Sequence, residues 1–201
     1  MCVKAFCRAL ALVSTHLGAE GGLQPEFIHE ALCEFNDKKR ALCCRVSPGA
    51  RHVYKDILEL QYGPAYDYVL RRQTSPAKPH ILVAGFSCKD LSMLHNGPGQ
   101  MKRFGGGSRR NSSISTFEAT ARCAERWQPD LIIMENVKAL LAARQADGGA
   151  RPIVLVSERL RQIGFLGLHN LLQAESFGLP QRRGRVWLIY FRAGCGAPRR
   201  Q

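Results

Sequence analysis

The stretch 79-PHILVAGFSCKDLS-92 decides the fold that we expect for this chain. Its apolar run is rich in branched residues, stops at Gly85, and is followed by polar residues around Cys88. A short apolar run of this kind favours a buried strand, and open α/β sheets place reactive groups in the crevice beyond the carboxyl ends of their strands. We therefore take Cys88 as the candidate nucleophile. The alternative is a small buried residue, which is the commoner role of a single cysteine.

Apolar and helix-like segments on both sides of this stretch extend the pattern. Besides the central strand, we expect helices over residues 25–32, 38–44, 62–75, 116–127, 138–145 and 151–163, and strands over 53–58, 130–134, 168–173 and 186–191. Residues 5–14 are expected to be a first strand, and a frayed segment is the alternative. Ser113 or Ser115 is the expected cap of the helix that begins at Thr116. The order of these elements predicts an α/β fold with a mostly parallel, doubly wound sheet, in one domain over residues 1–201.

The charge of the chain points to a polyanionic partner. Lys and Arg together number 29 against 16 Asp and Glu, which gives a net charge of +13 and a pI near 9.8. Nucleic acid is the partner that such a balance favours. The alternative is a basic surface that serves only solubility.

The eight cysteines indicate free thiols in a reducing compartment. They include no C-x-x-C pair and no Cys/His spacing of the zinc type, so we expect no metal site. Their apolar surroundings argue against a secreted disulfide framework. The short apolar run at the start of the chain lacks a clean cleavage site for a signal peptide, and it is too short to span a bilayer. We therefore expect no membrane partner. We expect an intracellular protein, nuclear in a eukaryote and cytoplasmic in a prokaryote or virus.

Residues 93–113 combine glycine clusters with basic side chains. Gly97, Gly99 and the triplet at 105–107 alternate with lysines and arginines. Because glycine clusters oppose packing, we expect a mobile basic loop that closes over a bound substrate. The alternative is an insertion without function.

Acidic residues and a glycine turn mark other places where a cofactor or substrate could be held. Glu135 follows the strand at 130–134, and Glu34 and Asp56 lie where a carboxylate could take a ribose hydroxyl or an amino group. Gly21 and Gly22 form a turn that would allow a ligand to approach the backbone closely. On the residues alone, an ordinary turn and exposed capping carboxylates remain open.

Three separated blocks, in order, resemble the cytosine-C5 DNA methyltransferase family. They are 85-GFSCKDLS-92, then Glu135-Asn136-Val137, then 175-ESFGLPQRRGRVWLIYFR-192 with its Gln-x-Arg-x-Arg pattern. The resemblance implies a Rossmann-like, S-adenosylmethionine-dependent methyltransferase that acts on a cytosine flipped out of the DNA duplex. The tRNA-acting branch of the family shares these blocks and is an alternative. A catalytically idle nucleic-acid-binding relic of the same fold is another.

The resemblance also assigns roles to individual residues. Cys88 would add to cytosine C6, Glu135 would meet N3, Arg185 would meet O2, and Arg183 would support the intermediate or a neighbouring phosphate. S-adenosylmethionine would be bound, without any metal, by a set made of Gly21, Gly22, Glu34, Phe35, Asp56, Ile57 and Ser87. In that set Glu34 would meet the ribose, Phe35 would flank the adenine, and Asp56 would hold its amino group.

The chain departs from the family pattern in three respects. Ser87 stands where the family has proline, which we expect to leave the approach of Cys88 less constrained. The glycine turn is degenerate, and the family's target-recognition region and last two blocks are missing. We therefore expect a fragment, one piece of a split enzyme whose second chain supplies target recognition, or a degenerate copy.

Overall fold

The computed structural model describes residues 28–89, 91, 112–141 and 150–194. The chain forms two compact units, residues 1–77 and residues 78–201. The predicted strand over 5–14, the turn at Gly21 and Gly22, and all of the predicted loop except Ser112 and Ser113 lie outside the described residues. The prediction of a single catalytic domain over residues 1–201 stays a prediction.

The first unit contains a parallel strand pair joined by a helix. Strand β1 (Ala31–Cys33) pairs with β2 (His52–Tyr54), and helix α1 (Asp37–Val46) connects them. Helix α1 begins where the side chain of Asn36 accepts a hydrogen bond from the backbone N–H of Lys39 at 3.0 Å. The helix predicted over 38–44 is confirmed. The helix predicted over 25–32 is wrong at its end, because Ala31–Cys33 hydrogen-bonds to β2 as a strand.

A β-hairpin follows the short helix α2 (Ile57–Leu60) in the first unit. Strands β3 (Ala65–Asp67) and β4 (Arg72–Thr74) are antiparallel, so the helix predicted over 62–75 is wrong. The physical reason is the fully buried side chain of Asp67, which ties the hairpin to β2. Its carboxylate accepts hydrogen bonds from the backbone N–H of Val53 at 3.2 Å and of Val69 at 2.8 Å, and it lies 2.7 Å from Nδ1 of His52.

The second unit is built on a four-stranded sheet with the order β5-β6-β8-β7. Its strands are β5 (Ile81–Ala84), β6 (Leu131–Val137), β7 (Phe165–Gln173) and β8 (Gly184–Arg192). Strands β5 and β6 are parallel, whereas β8 runs antiparallel to both of its neighbours. The sheet therefore combines both kinds of pairing. The strands predicted in this part of the chain are confirmed, and β6 is longer than predicted, so that Glu135 lies within the strand.

Two helices contribute to the main core of this unit together with one face of the sheet. They are α3 (Ser113–Trp127) and α4 (Pro152–Gln162), and the side chain of Arg159 joins them through Glu118 at 3.2 Å and Glu125 at 2.9 Å. The cap of α3 is Ser112, not Ser113 or Ser115 as predicted, because its hydroxyl accepts from the N–H of Ser115 at 3.1 Å. The core includes Phe117, Ile132, Met134, Val156, Leu160, Phe165, Val186 and Leu188.

Two short 3₁₀ helices complete the described elements. Lys138–Leu141 follows β6, where an α-helix over 138–145 was predicted, and Ala174–Phe177 joins β7 to the segment before β8. Within the described parts of the chain, no helix is both long and apolar enough to cross a membrane.

Candidate active site

The candidate nucleophile lies in a short irregular segment that follows β5. Because β5 and β6 are parallel, with Ala84 paired to Met134, the segment that begins at Gly85 leaves the sheet at the edge where β6 carries Glu135. Cys88 is a free, half-buried thiol in this segment. The backbone N–H of Leu91 donates to the carbonyl of Cys88 at 3.0 Å, which folds the chain back just after the thiol.

The free cysteines within the described residues differ in their capacity for thiolate chemistry. They are Cys33, Cys43, Cys44, Cys88 and Cys123. Burial raises the pKa of the Cys123 thiol to about 12, so that side chain is a poor nucleophile at neutral pH. Cys88 combines partial exposure with a place beside polar groups at a strand end.

The buried side chain of Asn136 connects β6 to the cysteine segment. Asn136 is only 3% exposed, and its Nδ2 donates to the carbonyl oxygen of Phe86 at 3.1 Å. Its Oδ1 accepts from the backbone N–H of Val137 at 2.8 Å, which fixes the orientation of the amide. Sequence reasoning assigned no role to Asn136. The signal was a polar residue at an inward-facing position of the alternating strand, in line with Ile132 and Met134.

A second contact holds the same segment from helix α3. The backbone N–H of Ser87 donates to Oγ1 of Thr116 at 3.0 Å. Proline at this position would have no N–H to donate. The serine therefore gives the segment a hydrogen bond that the family's usual residue could not make, and the expected loss of constraint is offset. The Ser87 hydroxyl in turn lies 3.4 Å from the backbone N of Lys89.

Glu135 and Arg185 form an ion pair at this edge of the sheet. Nε of Arg185 lies 2.8 Å from Oε1 of Glu135, and the two side chains are 27% and 16% exposed. The pairing follows from the β6–β8 register, in which Arg185 is opposite Val137, two residues beyond Glu135 on the same face. Nη1 of Arg185 also donates to the carbonyl of Gly184 at 2.8 Å. The guanidinium is thus oriented by both a carboxylate and the backbone.

Arg183 differs from Arg185 in its surroundings. It lies just before β8 and is exposed, and its backbone N–H donates to the carbonyl of Gln181 at 3.0 Å. Among the described residues, its guanidinium makes no hydrogen bond or ion pair. The structure therefore brings Arg185, but not Arg183, to Glu135.

The first unit carries the predicted ribose and adenine ligands at the carboxyl end of β1. The backbone N–H of Asn36 donates to Oε1 of Glu34 at 2.8 Å, and Oε2 accepts no hydrogen bond from the described part of the chain. Arg40 donates to the carbonyls of Glu34 and Phe35, at 3.0 and 3.4 Å, and so holds this turn. The Phe35 ring is 52% exposed, and Nζ of Lys55 lies 5.9 Å from its centre. A carboxylate oxygen without a hydrogen bond from the described residues and a half-exposed aromatic ring are both available to a nucleoside.

Asp56 and Ile57 follow the neighbouring strand β2. The Asp56 side chain caps α2, since its carboxylate accepts from the backbone N–H of Leu58 at 2.9 Å, and it is only 3% exposed. Ile57 is the first residue of α2. Glu34 and Asp56 thus lie beyond the carboxyl ends of two paired parallel strands, where α/β folds bind ligands. The Asp56 carboxylate is thus a buried helix cap, not an exposed one.

A family model and individual known proteins both match this chain, and the two comparisons agree. The model of the C-5 cytosine-specific DNA methylase family matches residues 43–197. The chain is 28% identical over 183 residues to the type II methyltransferase M2.BsuMI of Bacillus subtilis, with 90% of this chain and 41% of that protein covered. It is 29% identical over 140 residues to M.BsuFI of the same species, with 69% of this chain and 31% of that protein covered. The chain therefore spans less than half the length of these relatives.

The fold has a counterpart among solved structures. A crystal structure of Spodoptera frugiperda DNMT2 superimposes with a TM-score of 0.52 at 17% identity, covering 95% of this chain and 50% of that one. A putative DNA modification methyltransferase from an Escherichia coli prophage gives 0.53 at 13% identity, covering 81% of this chain and 40% of that one. These likenesses confirm the predicted Rossmann-like α/β methyltransferase fold.

Proposed function

Because this chain belongs to the C-5 cytosine-specific DNA methylase family, we propose that it carries the catalytic part of an enzyme that methylates C5 of cytosine in DNA. The observation that supports this most is that the segment carrying Cys88 leaves the second unit's sheet at the same edge as the Glu135–Arg185 ion pair. The Cys88 segment is tied to β6 by Asn136, and Glu135 on β6 is paired with Arg185 on β8.

The proposed role of Cys88 follows from the chemistry of cytosine. Its C5 carbon is too weak a nucleophile to attack a methyl sulfonium directly. A thiolate that adds to C6 turns the ring into an enamine, which makes C5 nucleophilic. After methylation, loss of the C5 proton expels Cys88 as the thiolate and restores the ring. Cys88 is only half-buried, as a residue that meets an entering base needs to be.

The Glu135–Arg185 pair suits the charge that develops during thiolate addition. Addition at C6 moves negative charge onto N3 and O2 of the cytosine, so a carboxyl group at N3 and a cation at O2 stabilise the transition state more than the ground state. Each of the two side chains holds the other in place. A bound cytosine would share their hydrogen bonds. Arg183 is exposed and takes no part in this pair, so it is better placed to meet a DNA phosphate.

We propose that the first unit contributes ligands for S-adenosylmethionine, the cosubstrate that the family implies. When bound, this cosubstrate supplies an electrophilic methyl group. Glu34 would hold the ribose through its free carboxylate oxygen, and Phe35 would stack on the adenine. Asp56 and Ile57 belong to the same proposed set, with Asp56 already engaged as a helix cap. Ser87 stays a sequence-based proposal. Gly21 and Gly22 remain sequence-based proposals.

DNA as the substrate is supported by the family and by the positive charge of the chain. A net charge of +13 favours binding to a phosphate backbone. A DNA substrate also supports the proposal that the protein works inside the cell, in the compartment that holds DNA.

The proposal is tested by transfer of a labelled methyl group. We expect the chain to methylate random-sequence DNA in preference to tRNA, Cys88→Ala to abolish transfer, and Cys44→Ala to preserve it. Cys44 is a suitable control because it is also a half-buried free thiol. Equal transfer by Cys88→Ala, or transfer to tRNA alone, would contradict the proposal.

A further inference from the structure

The peptide unit between Phe86 and Ser87 is held at both of its polar atoms. Its carbonyl accepts a hydrogen bond from Nδ2 of Asn136 at 3.1 Å, and its N–H donates to Oγ1 of Thr116 at 3.0 Å. The two partners come from different elements, strand β6 and helix α3. Since both atoms of one rigid plane are fixed, the plane cannot rotate without breaking a bond. Cys88 follows this plane by one residue.

Thr116 is itself oriented to accept this hydrogen bond. Its hydroxyl lies 2.9 Å from the carbonyl of Ser112 and 3.2 Å from that of Ser113, so its single proton points into the first turn of α3. A hydroxyl has one donor and two acceptor positions, which leaves an acceptor for the N–H of Ser87. The next residue is Phe117, and the centre of its ring lies 5.4 Å from the centre of the Phe86 ring. Helix α3 therefore meets the cysteine segment at two consecutive residues.

We propose that Thr116 is a positioning residue for Cys88 and does for Ser87 what a proline ring does at this position in the family. Proline limits the backbone by fixing φ and needs no partner for an N–H. Serine leaves φ free and adds a donor that must be satisfied, and Thr116 both satisfies the donor and restricts the plane. This inference rests on the proposed function, because it concerns how the thiol is presented to a substrate.

The expected consequence is a coupling between Thr116 and Ser87. Thr116→Val keeps the shape of the side chain and removes the acceptor, so the Ser87 N–H loses its partner. A displaced nucleophile lowers the rate steeply, and we expect kcat for methyl transfer to fall about tenfold while KM for S-adenosylmethionine stays within about twofold. Thr116→Ser keeps the hydroxyl and should restore the rate. In a Ser87→Pro background there is no N–H to hold, so Thr116→Val should have no further effect.

The contact can be measured without any activity, by residue-resolved amide hydrogen exchange. We expect exchange at the Ser87 amide to be about tenfold faster in Thr116→Val than in the wild type, and unchanged in Thr116→Ser. Thr120→Val is the matched control. Thr120 lies one turn later on the same helix, and its hydroxyl donates to the carbonyl of Thr116. It should alter neither the exchange at Ser87 nor kcat.

Two results would overturn the positioning role. One is exchange at the Ser87 amide that is the same in the wild type and in Thr116→Val. The other is a loss of kcat from Thr116→Val that is equally large in the Ser87→Pro background. A wild-type chain that transfers no methyl group would instead contradict the proposed function, and the exchange measurement would still decide whether Thr116 holds the peptide unit.

Discussion

Replacing Asn136 by alanine tests whether the Cys88 segment is attached to the sheet as the structure indicates. The change removes the hydrogen bond to Phe86 at 3.1 Å and the one from Val137 at 2.8 Å, in a side chain only 3% exposed. Each such bond contributes about 1 kcal/mol net, and the Phe86 carbonyl loses its partner. We therefore expect the free energy of unfolding to fall by about 2–3 kcal/mol. Among point substitutions this is a large effect.

The assay is urea unfolding followed by tryptophan fluorescence. Both tryptophans, Trp127 and Trp187, lie in the second unit, so the signal reports the unit that contains Asn136. With a slope of about 2 kcal/mol per M urea, the midpoint should fall by about 1 M. Asn136→Asp should be at least as damaging, because a carboxylate oxygen would face the carbonyl of Phe86.

The matched control is Asn170→Ala, on the exposed side of β7. It should change the free energy of unfolding by less than about 0.5 kcal/mol. If Asn136→Ala were as mild as this control, the attachment of the cysteine segment through β6 would be refuted.

Two further predictions concern stability. Burial raises the pKa of Asp67, but hydrogen bonds from His52 and from backbone amides outweigh it and lower this pKa from 3.8 to about 2. The stabilisation is therefore present above about pH 4 and lost as the pH falls towards 2, so the deficit of Asp67→Asn, about 1–2 kcal/mol at pH 6 by circular dichroism, should shrink over that range. Gly167→Ala should destabilise by about 2–3 kcal/mol in urea unfolding, because its Cβ would lie 2.1 Å from the carbonyl oxygen of Ile189 and 2.6 Å from Cα of Tyr190.

The Gly167→Ala prediction has a matched control, and each of the two stability predictions has a result that would contradict it. Gly49→Ala adds a methyl group that meets nothing within 4 Å, so its stability should stay within about 0.5 kcal/mol of the wild type. An equally mild Gly167→Ala would contradict the close packing of β7 on β8. For Asp67→Asn, a deficit that stays constant from pH 6 to pH 2 would show that the buried carboxylate does not contribute through its charge.

The strands that build the site were predictable because their sequences are locally decisive. The apolar runs that became β5, β6 and β8 are short, rich in branched or aromatic residues and flanked by polar ones, and local pattern is enough to identify such strands. That the segment carrying Cys88 and the residue Glu135 lie at one edge of the sheet followed from one general property, since the ends of neighbouring parallel strands meet at one edge.

The hairpin of β3 and β4 could not be predicted in the same way. Residues 62–75 have helical spacing, but the buried carboxylate of Asp67 receives hydrogen bonds from residues as far away as Val53. Such a tertiary contact overrides local propensity. The strand at Ala31–Cys33 was missed for a related reason, because three residues carry little pattern and their partner strand begins at His52.

The contacts that hold the cysteine segment were also beyond local sequence reasoning. Asn136 and Thr116 act on residues 50 and 29 positions away, and neither side chain is chemically unusual. What the sequence could show was a polar residue in an inward-facing strand position and a missing proline. The structure was needed to show that the two features concern the same peptide unit.

The most direct test of the proposed chemistry is to trap the covalent adduct. DNA of random sequence containing 5-fluorocytosine is incubated with the chain and S-adenosylmethionine, and the modified residue is located by mass spectrometry. Fluorine at C5 cannot leave as a proton does, so elimination is blocked and the adduct should persist on Cys88, with none formed by Cys88→Ala. Protein that binds both cosubstrate and DNA yet is recovered with Cys88 unmodified would contradict the mechanism.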